Sequence, residues 1–309
     1  MYSIFYSVLP IFLIAFLGSI IRRKWLTSDE FWRGLEKLSF YVLFPAVLFE
    51  HSAKVDLASF TLLRLVIALI VATAIVAFGL VLYQNRRNFH KVHFTSVFQG
   101  STRYNNYIFF AVGAALFGDE GLSIIATISP YLIIFTNLIV VIAFVHYIPT
   151  RDGVSGRKGL MLVIKSVITN PFIIASLLGF IFNYFQIELN KGIENTIHNI
   201  ADSALSIGIM IVGASLKFRI NPEYFNYVVF AGVVKLVIMP IITFIILWLM
   251  AIGGTAKSVG ILCSCLPCAS SAYILSRQLG GDPETMSAII TFTTIFSILS
   301  LSILVYILG

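Results

Sequence analysis

Unbroken apolar runs, separated by short polar stretches, dominate the chain. They fall at 4–21, 35–53, 60–83, 93–116, 122–147, 159–185, 196–216, 224–252, 257–279 and 284–308. About 20 apolar residues in a helix cover a hydrocarbon core roughly 30 Å thick. A barrel strand would instead alternate polar and apolar positions over segments of about 10 residues. These runs do not alternate, so the pattern predicts ten transmembrane helices. The longest polar stretches lie at about 22–34 and 148–158, which leaves no room for a soluble domain. Arg22, Arg23 and Lys24 follow the first run rather than leading it, and no small-residue cleavage site appears, so that run reads as a span and not as a cleavable leader.

Composition agrees with lipid as the solvent. Of 309 residues, 59% are apolar and 11% charged, with a mean hydropathy of +0.96; a soluble domain carries about 25% charged residues. The net charge of +7 would suit nucleic acid, but its distribution argues against that. With ten spans, the odd-numbered loops hold 15 of the 21 basic residues, while the even-numbered loops hold only Lys54, Lys191 and Lys257. The positive-inside rule makes the odd loops cytoplasmic and puts both termini outside, in a multi-pass protein of the cell membrane. Arg64, Arg103 and Lys235 fall within spans. Arg64 and Lys235 lie close enough to an interface to be expected to snorkel. Cys263, Cys265 and Cys268 have no neighbouring His, Asp or Glu, and their number and placement exclude a disulfide framework, so neither a metal nor a cofactor is expected.

The two halves resemble one another. Shifted by 160 residues, Phe12-Leu13-Ile14-Ala15 meets Phe172-Ile173-Ile174-Ala175, and the fourth and fifth spans fall close to the ninth and tenth. The expected organisation is a first five-helix repeat at 1–147, a short cytoplasmic linker at 148–158 and a second repeat at 159–309. Five is odd, so the second copy enters the membrane from the opposite side. Inverted repeats of this kind build many secondary transporters, with the substrate near the midplane on discontinuous helices. The fourth span is polar at mid-depth, from Gln99 to Tyr107, and the ninth carries Ser264, Pro267, Ser270 and Ser271. Pro267 cannot donate a backbone hydrogen bond, and backbone freed at that depth must be buried in protein or line a watery cavity.

These residues resemble a known family. Arg103-Tyr104-Asn105-Asn106-Tyr107 followed by Leu116-Phe117-Gly118-Asp119-Glu120-Gly121, and Leu266-Pro267 followed by Gly280-Gly281-Asp282-Pro283-Glu284, are similar to segments of bacterial auxin efflux carriers. Leu17-Gly18 with Arg22-Arg23, Leu38-Ser39, Tyr41 to Pro45, Asn170-Pro171 and Gly213 to Leu216 extend the likeness along nearly the whole chain. The resemblance implies an all-α membrane fold of two inverted five-helix repeats, with broken helices four and nine crossing, as in bile acid:sodium symporters. It also implies a carrier of small organic anions such as malate, malonate or auxin-like carboxylates, and a homodimer would suit that fold. Plant members carry a proline beside the asparagine of the fourth helix; here Gly100 and the Asn105-Asn106 pair are the local candidates for the break. The plant carriers' long central loop is reduced to about 148–158.

Arg103 is the leading substrate candidate. A cation at helix centre costs at least about 2.5 kcal/mol, which a substrate carboxylate bound by the guanidinium fork would offset; pairing with a protein acid such as Glu50 is the alternative. Asn105 and Asn106 are placed to donate to substrate oxygens or to cap a half-helix. Ser270 and Ser271 follow Pro267, where a helix start would present free N–H groups to an anion. Asn137 and Thr294 are weaker candidates, because isolated polar residues usually bond a neighbouring helix. Asp202, beside Ser203 and Ser206, is a candidate for proton coupling. The mid-depth parts of the fourth and ninth spans contain no acid, which favours uniport or proton coupling over sodium. Absence of H-E-x-x-H, G-x-S-x-G and P-loop patterns argues against an enzyme or a nucleotide-driven pump. The expected activity is secondary transport of a small organic anion by alternating access, with a ligand-binding receptor or channel-like protein as the rival.

Overall fold

The computed structural model describes residues 2–55, 60–148, 161, 164–165, 167–217 and 221–308; most of the expected linker therefore lies outside the described residues. Helix α1 spans Tyr2–Lys24 and ends in three basic residues, which suit the negative end of its dipole. Helix α2, Asp29–Leu38, starts before the second apolar run does. Ser28 caps it by accepting from the Phe31 N–H at 3.3 Å, and Asp29 and Glu30 occupy its first turn. It continues through a π turn, Ser39–Leu43, into α3, Phe44–Ser52. The wide turn has a cause. Pro45 follows it, and the Phe44 N–H reaches back five residues to the Ser39 carbonyl, which opens room that a proline ring would otherwise lack.

Helices α4 (Phe60–Arg87), α5 (Lys91–Thr102) and α6 (Asn106–Tyr147) follow. Gly118 interrupts α6 at φ +56°, ψ −145°, a conformation that glycine alone adopts readily, and so separates the end of the fourth apolar run from the fifth. Then come α7 (Pro171–Tyr184), started by Pro171 and capped by Asn170, and α8 (Lys191–Ser215). Helices α9 (Phe225–Val233) and α10 (Met239–Leu249) are joined by a second π turn, Val234–Ile238, again just before a proline, Pro240. The chain ends with α11 (Gly254–Cys265), α12 (Ala272–Gln278) and α13 (Pro283–Leu308).

Polarity is distributed inside out. Phe16, Phe60, Phe78, Trp248 and Leu249 are exposed, whereas Gln99, Ser101, Thr102, Asn105 and Lys235 are buried. Among the described residues, five helical runs are long and apolar enough to cross a membrane. The molecule is thus a multi-pass helical membrane protein. Glycines bring α1 and α8 together: a Cβ added to Gly18 would collide with the Met210 backbone, and one added to Gly213 with that of Ala15. Helix α3 packs on α7 beside them. A second apolar cluster gathers Phe94 and Phe98 of α5, Phe144 of α6, Val228 of α9 and Ile289 of α13. Tyr104, Cys265 and Leu266 belong to the first cluster and Phe98 and Cys268 to the second, so the breaks between α5 and α6 and between α11 and α12 lie on the seam.

Candidate functional site: two broken helices that cross

Both polar mid-depth stretches interrupt their helices. Residues 103–105 separate α5 from α6, and residues 266–271 separate α11 from α12. The helices before the two breaks, Lys91–Thr102 and Gly254–Cys265, are each twelve residues long. Of the two local candidates for the first break, Asn105-Asn106 marks it; Gly100 lies within α5 against Ile289.

The breaks meet directly. The Asn105 backbone N–H donates to the Pro267 carbonyl at 3.0 Å, and the Asn105 side-chain amide donates to Ser270 Oγ at 3.2 Å. Asn105 Oδ1 at the same time accepts from the Ile108 N–H at 3.2 Å and caps α6. One asparagine therefore starts a helix and ties it to the other broken segment. Further freed backbone groups find partners as well. The Cys268 N–H donates to Thr293 Oγ1 at 3.2 Å, Ser300 Oγ donates to the Cys265 carbonyl at 3.0 Å, and Cys268 Sγ lies 3.8 Å from the Gln99 carbonyl. Free backbone at membrane depth is stable only when protein or water accepts it in this way.

Arg103 is half-buried at the crossing. Its guanidinium donates to Ser271 Oγ at 3.2 Å, across the crossing, and reaches Gln99 Oε1 at 3.5 Å. Both acceptors are neutral. Glu50, the acid considered as its partner, pairs instead with Lys54 at 3.3 Å and His198 at 3.1 Å. Gln99 Nε2, Ser101 Oγ and Asn106 Oδ1 are buried without a hydrogen-bond partner, and all three flank the first break. Buried polar atoms are normally paired, so such a group of orphans points to water or a ligand.

The structure thus joins Arg103, Asn105, Pro267, Ser270 and Ser271, with Asn106 adjoining through the chain. It does not join the rest. Asn137 is half-buried on α6, and Thr294 is buried on α13 with its hydroxyl unpaired; neither side chain bonds to the crossing. Asp202 is exposed on α8, 3.5 Å from His198, away from the other candidates.

Lys235 requires a correction. It was expected to snorkel, yet it is only 2% exposed. The π turn before Pro240 turns it into a cavity of about 20 Å³ lined by Thr73, Thr102, Tyr104, Thr136, Thr243 and Ser264 among others. Gln99 and Ser101 were likewise missed as individuals, although the polar run that contains them was not. A larger open pocket of about 430 Å³, lined by Lys54, Glu120, Ser123 and Thr255, contains no residue of the crossing.

Comparison with known proteins points to membrane transporters. Residues 155–305 match the family described as "Membrane transport protein". Relatives extend the match over the whole length. An "Uncharacterized transporter" of Methanothermobacter thermautotrophicus is 25% identical over 96% of this chain and 95% of its own. A "Putative malonate transporter" of Rhizobium meliloti is 24% identical over 97% of this chain and 94% of its own. Another uncharacterized transporter, from Methanocaldococcus jannaschii, is 22% identical over 96% of each chain. The family model covers nearly the whole carboxy-terminal half and transporters align end to end, and together they support a bacterial transporter similar to the auxin efflux carriers.

Proposed function

We propose that this transporter is a secondary carrier that moves a small organic anion, of the malonate or malate class, by alternating access. In this reading the chain crosses the membrane ten times as two inverted five-helix repeats, with both termini outside, and the substrate sits where the two broken helices cross. The observation that carries it is the Arg103 guanidinium. It lies on the seam between the two helix clusters and, among the described residues, its hydrogen bonds go to neutral acceptors on α5 and on the opposite broken segment. A guanidinium has five N–H donors in a planar fork, so Arg103 keeps donors free for a carboxylate. That carboxylate supplies the counter-charge that no acid among the described residues provides. The unpaired Gln99 Nε2, Ser101 Oγ and Asn106 Oδ1 atoms offer further polar contacts beside it. Equal lengths of the two helices that precede the breaks support the repeat. The malonate named for the Rhizobium relative supports the substrate class.

Counterflow in proteoliposomes tests the proposal directly. Vesicles loaded with unlabelled malonate should accumulate labelled malonate from outside and distinguish it from neutral analogues such as malonamide. Folded, reconstituted protein that exchanges neither malonate nor malate nor an aromatic carboxylate would sink the anion reading.

A further inference from the structure

Lys235 takes no part in the crossing's hydrogen bonds, yet it lies immediately behind them. Thr102 and Tyr104, on either side of Arg103, line the same cavity as Lys235, as do Cys263 and Ser264 just before the second break. The cavity's chemistry is one-sided. The hydroxyls of Thr73, Thr102 and Thr136 donate to the carbonyls of Leu69, Phe98 and Leu132 four residues earlier, at 2.7–2.8 Å. Their donors are committed to their own helices, so oxygen lone pairs remain to face the cavity. Thr243 Oγ1 is buried with no hydrogen-bond partner among the described residues. An oxygen-rich lining of this kind suits an ammonium, which has three donors and no acceptor. The volume of about 20 Å³ is room for about one water molecule.

The charge itself is not balanced there. Among the described residues no carboxylate pairs with Lys235. The titratable groups that face it are the thiols of Cys263 and Cys265 on α11 and of Cys268 in the break, with the Tyr104 phenol across the cavity. Helix α10 contributes no titratable side chain. On α5, His93 is engaged at the far end with Asp282 and Thr285, and on α9 Tyr227 stacks on that same histidine. Glu284 of α13 is exposed in its first turn. A buried ammonium without an anion is costly and tends to give up its proton. A carboxylate arriving nearby favours the charged form again.

We propose that Lys235 is the proton-coupling site of the carrier. This rests on the anion-carrier reading above. When the anion reaches Arg103, the neutral Lys235 amine takes a proton from the water on that side and forms a third N–H bond among the threonine oxygens. When the anion leaves on the other side, the same N–H bond breaks and the proton returns to water there. One anion and one proton therefore cross together. The ammonium fills the oxygen-lined space from within the chain and repels a second cation, so sodium has no place in the cycle.

The test uses purified and reconstituted full-length protein with malonate as the probe. At about pH 8 both carboxylates of free malonate stay ionised, so proton uptake on binding reports the protein. Wild type in lightly buffered detergent solution should take up about one proton per malonate bound. An acid-outside gradient should accelerate uptake into vesicles several-fold, and replacing sodium by choline should change nothing. Lys235→Met should bind malonate without proton uptake and show slower counterflow that no longer responds to the gradient. Lys235→Arg, which cannot release its proton, should show the same loss of response, and it covers the case in which Lys235→Met does not fold. A wild type that exchanges malonate without proton uptake, or that requires sodium, overturns the proposal and leaves the carrier reading intact. So does a variant that keeps the full gradient response. A folded wild type that neither binds nor exchanges malonate removes the carrier reading and the lysine proposal together.

Discussion

At the scale of single residues, Arg103 and Asn105 divide the work of the crossing. Arg103 contributes charge, and its hydrogen bonds to Ser271 and Gln99 hold the guanidinium in place without neutralising it. Hydrogen bonds to charged groups are worth about 1.5–3 kcal/mol. Arg103→Gln should therefore slow malonate counterflow by about ten- to a hundred-fold, with membrane expression and thermal midpoint close to wild type. Unchanged counterflow would assign Arg103 to structure. Asn105 contributes geometry. Asn105→Ala removes both the cap of α6 and the contact to Ser270, and a lost cap costs about 0.5–2 kcal/mol. A lowered unfolding midpoint in a thermal melt is the expected outcome, partly recovered in Asn105→Asp, whose carboxylate can still accept from the Ile108 N–H. If Asn105→Asp melted no higher than Asn105→Ala, the capping role would be wrong.

Elements carry the next level of the argument, and they show where sequence reading reached its limit. The break at Pro267 was legible because proline lacks an N–H. The break at 103–105 was legible only as a run of polar residues at a depth where none should stand. That the two breaks bond each other, through the Asn105 N–H and the Pro267 carbonyl, depends on the approach of segments more than 160 residues apart. No local pattern encodes that. Lys235 was misplaced for a different reason. Its snorkelling was expected from its closeness to an interface, which says nothing of where the side chain points; the π turn adds a residue to one turn of helix and shifts the faces beyond it. Gly100 was a fair candidate for a helix break by residue type, yet it serves packing against Ile289. Backbone contact between α1 and α8 is testable at this level. Gly213→Val would drive a branched side chain into the Ala15 backbone. Overpacking of this kind costs about 1–3 kcal/mol, occasionally more, so the variant should melt lower or fail to purify as a monodisperse species, whereas Gly79→Ala, with no atom near its added methyl, should behave as wild type.

At the scale of the whole molecule, hydropathy revealed a helical membrane protein, and the comparisons add that it is a transporter similar to the auxin efflux carriers. The proposed orientation makes a separate prediction. A cysteine introduced at Gly153 should resist an impermeant maleimide added to intact cells and react once the membrane is opened; labelling from outside would invert the topology. Cys263, Cys265 and Cys268 are buried, so they contribute little background to such an assay.

The close approach of α1 and α8 also bears on how the molecule can move. At Gly18 and Gly213 the two backbones touch with no side chain between them, like gear teeth already at the bottom of their slots. Sliding either helix along the other would have to lift the teeth out first. Such contacts favour movement of the two helices together, as a single rigid post. On the proposed alternating-access reading, such a post would serve as the stationary frame. The moving part is then the portion of the chain that holds the crossing, and the stroke is set by how far the seam between them can shear.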